Sequence, residues 1–304
     1  MKAVQLDRFG GPDHLRLADV TDPVPGAGQV RIRVRAVGVN PLDAKIRSGA
    51  LEQVFPTELP VVLGLEVAGT VDAVGDNVTA VAVGDDVLGL ADGGGYAEYV
   101  LATTVAPKPA SLDWARAAAL PVAAETALRV LRLLDLVAGE TLLVHGASGA
   151  VGSMAVQLAV ARGATVIGTA SEANQAFVDG LGATALAYGD GLVERVRAVA
   201  PQGVDAVLDT AGQGALPDSI ELRGSTWRIV TTADPAAYGL GVVFTDKAEP
   251  DAAQLAEVAA KVADGSIRLA DPRVHDLAAA SAAHVELDAG HGRGKIVLQV
   301  GDRA

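Results

Sequence analysis

The chain contains no cysteine among its 304 residues. Disulfides, thiolate metal ligands and a cysteine nucleophile are therefore excluded. Aromatic residues make up only 3% of the chain while hydrophobic residues reach 50%, so its core is built mainly from Val, Leu, Ile and Ala. Basic charge is scarce: 24 Lys and Arg against 37 Asp and Glu give a formal net charge of −13. That balance argues against nucleic acid and anionic membranes as partners. It leaves a small substrate open, because a basic pocket fits inside an acidic surface. No run of roughly 18 apolar residues occurs, which argues against a membrane span. Asp7 and Arg8 fall where a secretory signal would need a continuous apolar stretch. A cytoplasmic protein is the expectation.

What is present changes character along the chain. In residues 1–110, QVRIRVRAVGVN (29–40) alternates polar and apolar residues as a half-buried strand does. VVLGLEVAGTVDAVG (61–75) and VAVGDDVLGL (81–90) are short β-prone runs punctuated by glycine, a spacing that predicts antiparallel strands in a sandwich or barrel. PKPASLDWARAAAL (107–120) turns helical, with Ser111 and Asp113 as capping residues. From about 120 to 265 short buried strands, TLLVH (141–145), ATVIGT (164–169), TALAY (184–188), VDAVLDT (204–210) and WRIVTT (227–232), alternate with helical stretches. That alternation predicts an α/β doubly wound parallel sheet covered on both faces. DAAQLAEVAAKVADG (251–265) reads as a further amphipathic helix, and the tail closes on the strand KIVLQV. The tail is too short for a domain and must pack on another part of the chain.

Between TLLVH and the following helix lies a glycine turn, Gly146-Ala147-Ser148-Gly149-Ala150-Val151-Gly152. Strand, glycine turn and helix in this order bind a dinucleotide pyrophosphate. Gly149 lets the backbone approach the phosphates, Gly152 lets the helix pack close to the strand, and the N–H groups of the helix start hold the anion. The competing reading is a tight turn for packing only. An NAD-selective site carries an acid about 20 residues on, but Thr169 and Ala170 are neutral and Glu172 lies two residues later. NADP(H) is therefore preferred over NAD(H). Ser171 and Asn174 are the hydrogen-bonding candidates beside it, or simply cap and solvate the loop.

The chain resembles the medium-chain dehydrogenase/reductase superfamily, in its zinc-free quinone oxidoreductase branch. The resemblance is carried by NPLDAKIRSG (40–49), PVVLGLEVAGTVDAVG (60–75), VGDDVLGL (83–90), GGYAEYV (94–100), AAALPVAAETAL (117–128), the glycine turn and GRGKIVLQV (292–300), in that order. It implies a GroES-like β-rich catalytic domain, 1–118 and 267–304, and a Rossmann dinucleotide-binding domain, 119–266. It implies hydride transfer from NADPH to a small-molecule electron acceptor, a quinone or an α,β-unsaturated carbonyl, by a homodimer. An enoyl-thioester or carbonyl reductase, and a low-turnover NADPH-binding sensor or structural protein, are the alternatives. No metal is assigned: Asn40 and Leu65 stand where zinc relatives resemble one another in Cys and His ligands.

The resemblance also suggests site residues. Asn40 is the candidate donor to the substrate oxygen, or else an amide ordering the turn before Pro41. Lys45 is a second donor candidate, or a surface lysine. Thr126 resembles a threonine at the nicotinamide end, Tyr188 a tyrosine near the adenosine phosphate, and Thr210, Ala211 and Gly212 a strand end facing the nicotinamide ribose. Asn174 replaces a phosphate-binding lysine of related enzymes, and Arg293 is a candidate for the cofactor phosphates. Glu66 and Asp43 are expected to bond backbone or a neighbour, His145 to be a satisfied histidine, and Trp114 and Trp227 to pack.

Overall fold

The structure, a computed structural model, describes residues 1–53, 56–245, 247–290 and 292–301. In chain order the elements are β1 (Lys2–Leu6), β2 (Leu15–Asp19), β3 (Val30–Val39), α1 (Pro41–Ser48), β4 (Val61–Val62), β5 (Glu66–Val74), β6 (Asp86–Leu90), β7 (Tyr99–Ala102), β8 (Thr104–Pro107), α2 (Trp114–Ala118) and α3 (Pro121–Leu133). Next come β9 (Thr141–His145), α4 (Ala150–Ala161), β10 (Thr165–Ala170), α5 (Glu172–Asp179), β11 (Thr184–Ala187), α6 (Leu192–Val199), β12 (Ala206–Asp209), α7 (Leu216–Arg223), β13 (Ile229–Thr231), α8 (Ala237–Leu240) and β14 (Val243–Phe244). The chain ends with α9 (Ala252–Ala263), β15 (Arg273–Asp276), α10 (Ala280–Ala289) and β16 (Ile296–Gln299).

Local chemistry sets several of these boundaries. Pro41 opens α1, where its missing N–H costs nothing. Asp43, one turn in, accepts the backbone N–H of Asn40 at 2.8 Å, and Gly49 ends the helix at φ 77°, a conformation glycine adopts without strain. The Asp113 carboxylate caps α2 through the N–H of Arg116 at 2.8 Å. The Asp251 carboxylate caps α9 through the N–H groups of Ala253 and Gln254.

Two compact units result: Met1–Val122 with Pro250–Ser266 and the chain from Ala270 onward, and Ala123–Glu249 with Ile267–Leu269. The first holds a three-stranded sheet, β2-β1-β4, and a seven-stranded sheet, β15-β16-β3-β5-β6-β8 with β7 also paired to β3. Apart from the parallel β15–β16 pair, every pairing in them is antiparallel. The ten residues of β3 send Val30, Ile32 and Val34 into the core beside Leu6, Val67 and Leu298, which is what their alternation predicts. The tail joins this unit because β16 pairs with β3, Ile296 opposite Val39.

The second unit holds a six-stranded parallel sheet of order β11-β10-β9-β12-β13-β14. Counted within the unit that is 3-2-1-4-5-6, the doubly wound dinucleotide-binding order, with its reversal between β9 and β12. β9 is buried along its whole length, as a central parallel strand requires. Leu143, Ile167, Val207 and Ile229 from its strands pack with Leu192 and Val196 of α6. The α/β class and both sheet types are thus as the sequence predicts. Trp227 is not: it is 73% exposed, because β13 starts only at Ile229 and leaves the indole on the preceding turn. Trp114 packs under Lys108, whose Nζ lies 4.6 Å from the ring centroid. Among the described residues no helix is long and apolar enough to cross a membrane.

Candidate active site

In the second unit the parallel sheet delivers its C-terminal strand ends to one edge. β9 ends at His145, and Gly146 follows at φ 74°. Ala147 donates its N–H to Thr169 O, and Gly149 donates to Gly146 O, both at 3.0 Å, closing the turn into α4. The three glycines have separable causes. A Cβ on Gly152 would overlap the carbonyl oxygen of Gly146, and one on Gly146 would lie 2.7 Å from Thr210 Oγ1. Packing therefore demands both. Gly149 has an ordinary φ of −73°, and a Cβ there would meet only Gly146 O at 3.3 Å. As the N-cap of α4 it stands where glycine is preferred over alanine, and it leaves the turn open to an approaching ligand. The N–H groups of Ala150, Val151 and Gly152 belong to the first turn of α4, where no intrahelical carbonyl is available to them. They sit at the positive end of the twelve-residue α4, where anions bind. These residues fit the pyrophosphate of a dinucleotide.

Next to this turn, β12 pairs with β9 so that Asp209 stands opposite His145. Asp209, fully buried, accepts the N–H groups of Ala211 and Gly212 at 2.9 and 3.1 Å and the Thr231 hydroxyl at 2.7 Å. Thr210 donates its hydroxyl to His145 O at 2.8 Å. The segment Thr210–Gly212 is thus fixed beside the glycine turn by an aspartate that the sequence reading passed over. An acid at a strand end followed by Thr-Ala-Gly was the available signal. His145 is 1% exposed, 3.3 Å from Thr169 Oγ1 and 3.0 Å from Ser219 Oγ. Ser219 spends its own proton on Ala215 O. The imidazole therefore donates from Nε2 and accepts at Nδ1, and burial lowers its pKa. It is a satisfied core histidine.

On the other side of β9, β10 and β11 run in register, Ala170 opposite Ala187. Ser171 occupies the N-cap position of α5 without a side-chain capping bond, and Asn174 donates its side-chain amide to Ser171 Oγ at 3.1 Å. Tyr188 follows β11 and is 55% exposed. The structure therefore brings Ser171, Asn174 and Tyr188 to neighbouring strand ends on the same edge as the glycine turn. The sequence reading missed Arg195 on α6. Its guanidinium donates to the carbonyls of Ala187, Gly189 and Asp190 at 2.8–3.2 Å, gripping the loop that carries Tyr188. Thr126 is buried in α3, its hydroxyl 3.3 Å from Glu125, which pairs with Arg129.

The first unit holds a buried polar network around Asn40. Lys295, 6% exposed, places Nζ 2.5 Å from Glu66 Oε1 and 2.5 Å from Asn40 Oδ1. Asn40 Nδ2 donates to Glu66 Oε1 at 3.0 Å, and Glu66 Oε2 accepts the N–H of Val122 at 2.7 Å. An ammonium only donates and a carboxylate only accepts, so the Asn40 amide has one permitted orientation. Asp43 accepts from Asn40 N, Gly64 N and the Tyr96 hydroxyl. Burial pushes its pKa up to about 6 against those donors. Tyr96 touches His284 Nε2 at 3.1 Å, His284 Nδ1 lies 3.1 Å from Arg47 Nη1, and Arg47 pairs with Asp288 at 2.8 Å. Lys45 sits half-buried on α1, and Arg293 is exposed two residues before Lys295. Asn40 thus lies at the centre of this network, while Glu66 and Asp43 bond backbone and neighbours as expected. Lys295 and His284 were missed: the one follows the more conspicuous Arg293, the other sits on a helix of the tail.

Two family models match the chain. An alcohol dehydrogenase GroES-like domain covers residues 26–110, and a zinc-binding dehydrogenase model covers residues 150–237. A quinone oxidoreductase of Lama guanicoe is 39% identical over 239 residues, 76% of this chain and 72% of that one. The solved quinone oxidoreductase of Coxiella burnetii superposes with a TM-score of 0.87 at 33% identity, over 99% of both chains. A mycobacterial protein, Rv1454c, solved in complex with NADPH, superposes with a TM-score of 0.83 at 31% identity, over 98% of this chain and 100% of that one. With the glycine turn on a doubly wound sheet, these findings define the class: an NAD(P)H-dependent oxidoreductase. More narrowly, the chain belongs to the quinone oxidoreductase branch of the medium-chain dehydrogenase/reductase superfamily.

The zinc named in the second family model does not fit the donor set here. The chain has no cysteine, Leu65 offers no ligand atom, and Glu66 and Asn40 are both turned onto the Lys295 ammonium. A dication beside that ammonium would be repelled.

Proposed function

We propose that the protein reduces a quinone or an α,β-unsaturated carbonyl with NADPH and without zinc. The observation that carries this reading is the turn Gly146–Gly152. The N–H groups of Ala150, Val151 and Gly152 at the start of α4 have no intrahelical acceptor, and a side chain on Gly149 would narrow the approach to them. When bound, the reduced nicotinamide supplies the hydride. The chain's own residues bind and orient: the start of α4 holds the pyrophosphate, and Thr210–Gly212, pinned by Asp209, supplies backbone groups beside it. Ser171, Asn174 and Tyr188 face the adenosine side, where no carboxylate ends β10 to repel a 2′-phosphate. Hydride addition leaves negative charge on the acceptor oxygen, and an N–H of Asn40 meets that charge while solvent supplies the proton.

The test is a titration of EDTA-dialysed protein with NADPH and NADH, followed by nicotinamide fluorescence, with turnover on 1,4-naphthoquinone and cyclohexenone. Tighter binding of NADPH and turnover with at least one acceptor are expected. Tighter binding of NADH would give Glu172 the ribose, and turnover that returns only on adding zinc would overturn the metal-free reading. The resemblance further implies pairing of two copies. Light scattering is expected to give about twice the chain mass of 30.7 kDa, and a monomer at micromolar concentration would refute it.

A further inference from the structure

We propose that Lys295 and Glu66 form a positioning pair that orients and polarises the Asn40 amide for the acceptor oxygen. The proposal rests on the reading of Asn40 as a donor. Three buried groups close a ring: Lys295 Nζ to Asn40 Oδ1, Asn40 Nδ2 to Glu66 Oε1, and Glu66 Oε1 back to Lys295 Nζ. The carboxylate is fully buried and the ammonium nearly so. Burying such a pair costs desolvation that an apolar pair of the same size avoids, so stability alone is a poor reason for it to be there.

The ring does two things to Asn40 that an apolar neighbourhood would not. It fixes the amide against a flip, because the reversed amide would set its N–H₂ against an ammonium and its oxygen against a carboxylate. It also spends the carbonyl oxygen on a full positive charge, which draws density from the amide and strengthens its N–H groups as donors. One of the two Nδ2 protons goes to Glu66. Among the described residues the other has no acceptor, and it is the proton offered to the developing oxyanion. Glu66 is held in turn by the backbone N–H of Val122, so the ring is anchored to the main chain on one side and to the residue that leads into β16 on the other.

The experiment separates orientation from mere support. Lys295→Met alone leaves the Glu66 charge buried and lowers the melting temperature. Lys295→Met with Glu66→Gln removes both charges and is expected to restore it. In that stable double variant kcat with 1,4-naphthoquinone is expected to stay about ten- to a hundredfold down, with the NADPH dissociation constant unchanged. Asn40→Ala is expected to cost about a hundredfold in kcat. Adding the double substitution to Asn40→Ala is expected to change kcat by less than about twofold, because both act through one amide. Recovery of kcat together with stability in the double variant would overturn the proposal, and so would full additivity with Asn40→Ala. If Asn40→Ala itself leaves kcat unchanged, the donor reading falls, and the positioning role falls with it. Should the methionine variant not fold, Lys295→Gln with Glu66→Gln keeps the polar packing without the charges and carries the same expectations.

Discussion

Proton directions in the chain from Arg47 to Asp43 follow from donor inventory alone. Arg47 cannot accept, so His284 Nδ1 accepts from it; His284 Nε2 then donates to the Tyr96 oxygen, and Tyr96 donates to Asp43. The arrangement requires a neutral imidazole, in keeping with a His284 pKa lowered to about 4, first by burial and then by the Arg47 charge. Asp43, facing Asn40 N, Gly64 N, Tyr96 and Lys295, is raised to about 6 by burial. The two groups act on stability with opposite sign. As pH rises from about 4 to 6, the unfolded chain has already lost the Asp43 proton that the folded protein keeps, so stability falls. As pH rises from about 4 to 6.5, the unfolded chain still holds the His284 proton that the folded protein has shed, so stability grows. His284→Gln keeps a donor and an acceptor but removes the second effect. In urea titrations its stability is expected to fall between pH 4 and pH 6 by up to about 3 kcal/mol relative to the wild-type trend. Asp43→Asn is expected to tilt the other way. Parallel trends for all three proteins would show that neither group titrates as the burial argues.

Among the elements, the turn into α4 separates a glycine kept for packing from one kept for a ligand. Gly152→Ala forces the helix away from the Gly146 carbonyl and is expected to lower stability by about 1–3 kcal/mol and weaken NADPH. Gly149→Ala meets one oxygen at 3.3 Å. It is expected to lower the melting temperature less than Gly152→Ala does while weakening NADPH at least about tenfold, since its methyl group stands where the phosphate approaches. Unchanged NADPH affinity in Gly149→Ala would mean that the turn serves packing alone. This stretch was legible in the sequence because strand, turn and helix are contiguous there. TLLVH is β9 to the residue, and the 29–40 alternation is β3 to within one residue at each end. What stayed hidden depends on distant pairing. Lys295 meets Asn40 across 255 positions, and nothing in GRGKIV says which of its two cations turns inward. His284 lies on α10, an Ala-rich stretch without a clear apolar stripe, so neither its helix nor its burial announced itself. Trp227 failed for the opposite reason: the sequence marks an aromatic residue beside a strand but not the residue at which the strand begins.

For the molecule as a whole, a net charge of −13 has to be reconciled with a ligand that carries several phosphates. The 2′-phosphate adds roughly −1.5 to −2 to NADPH relative to NADH, so long-range repulsion works against the cofactor proposed above. Two outcomes of added salt are distinguishable. Where lysines or arginines pair with the phosphates, screening weakens binding. Where backbone N–H groups and hydroxyls hold them inside an acidic envelope, screening removes repulsion and leaves the local bonds in place, because the Debye length shrinks to about 10 Å near 0.1 M salt. From Ser171 to Asp190 the chain has no Lys or Arg, but it has Glu172, Asp179 and Asp190, and the start of α4 offers N–H groups rather than cations. The NADPH dissociation constant is therefore expected to hold within about twofold or to tighten between roughly 20 and 300 mM NaCl, with a smaller response for NADH. Weakening of about fivefold or more would show that a cation of this chain grips the 2′-phosphate. Arg195 would be the first to replace, since its guanidinium already lies against the loop that carries Tyr188.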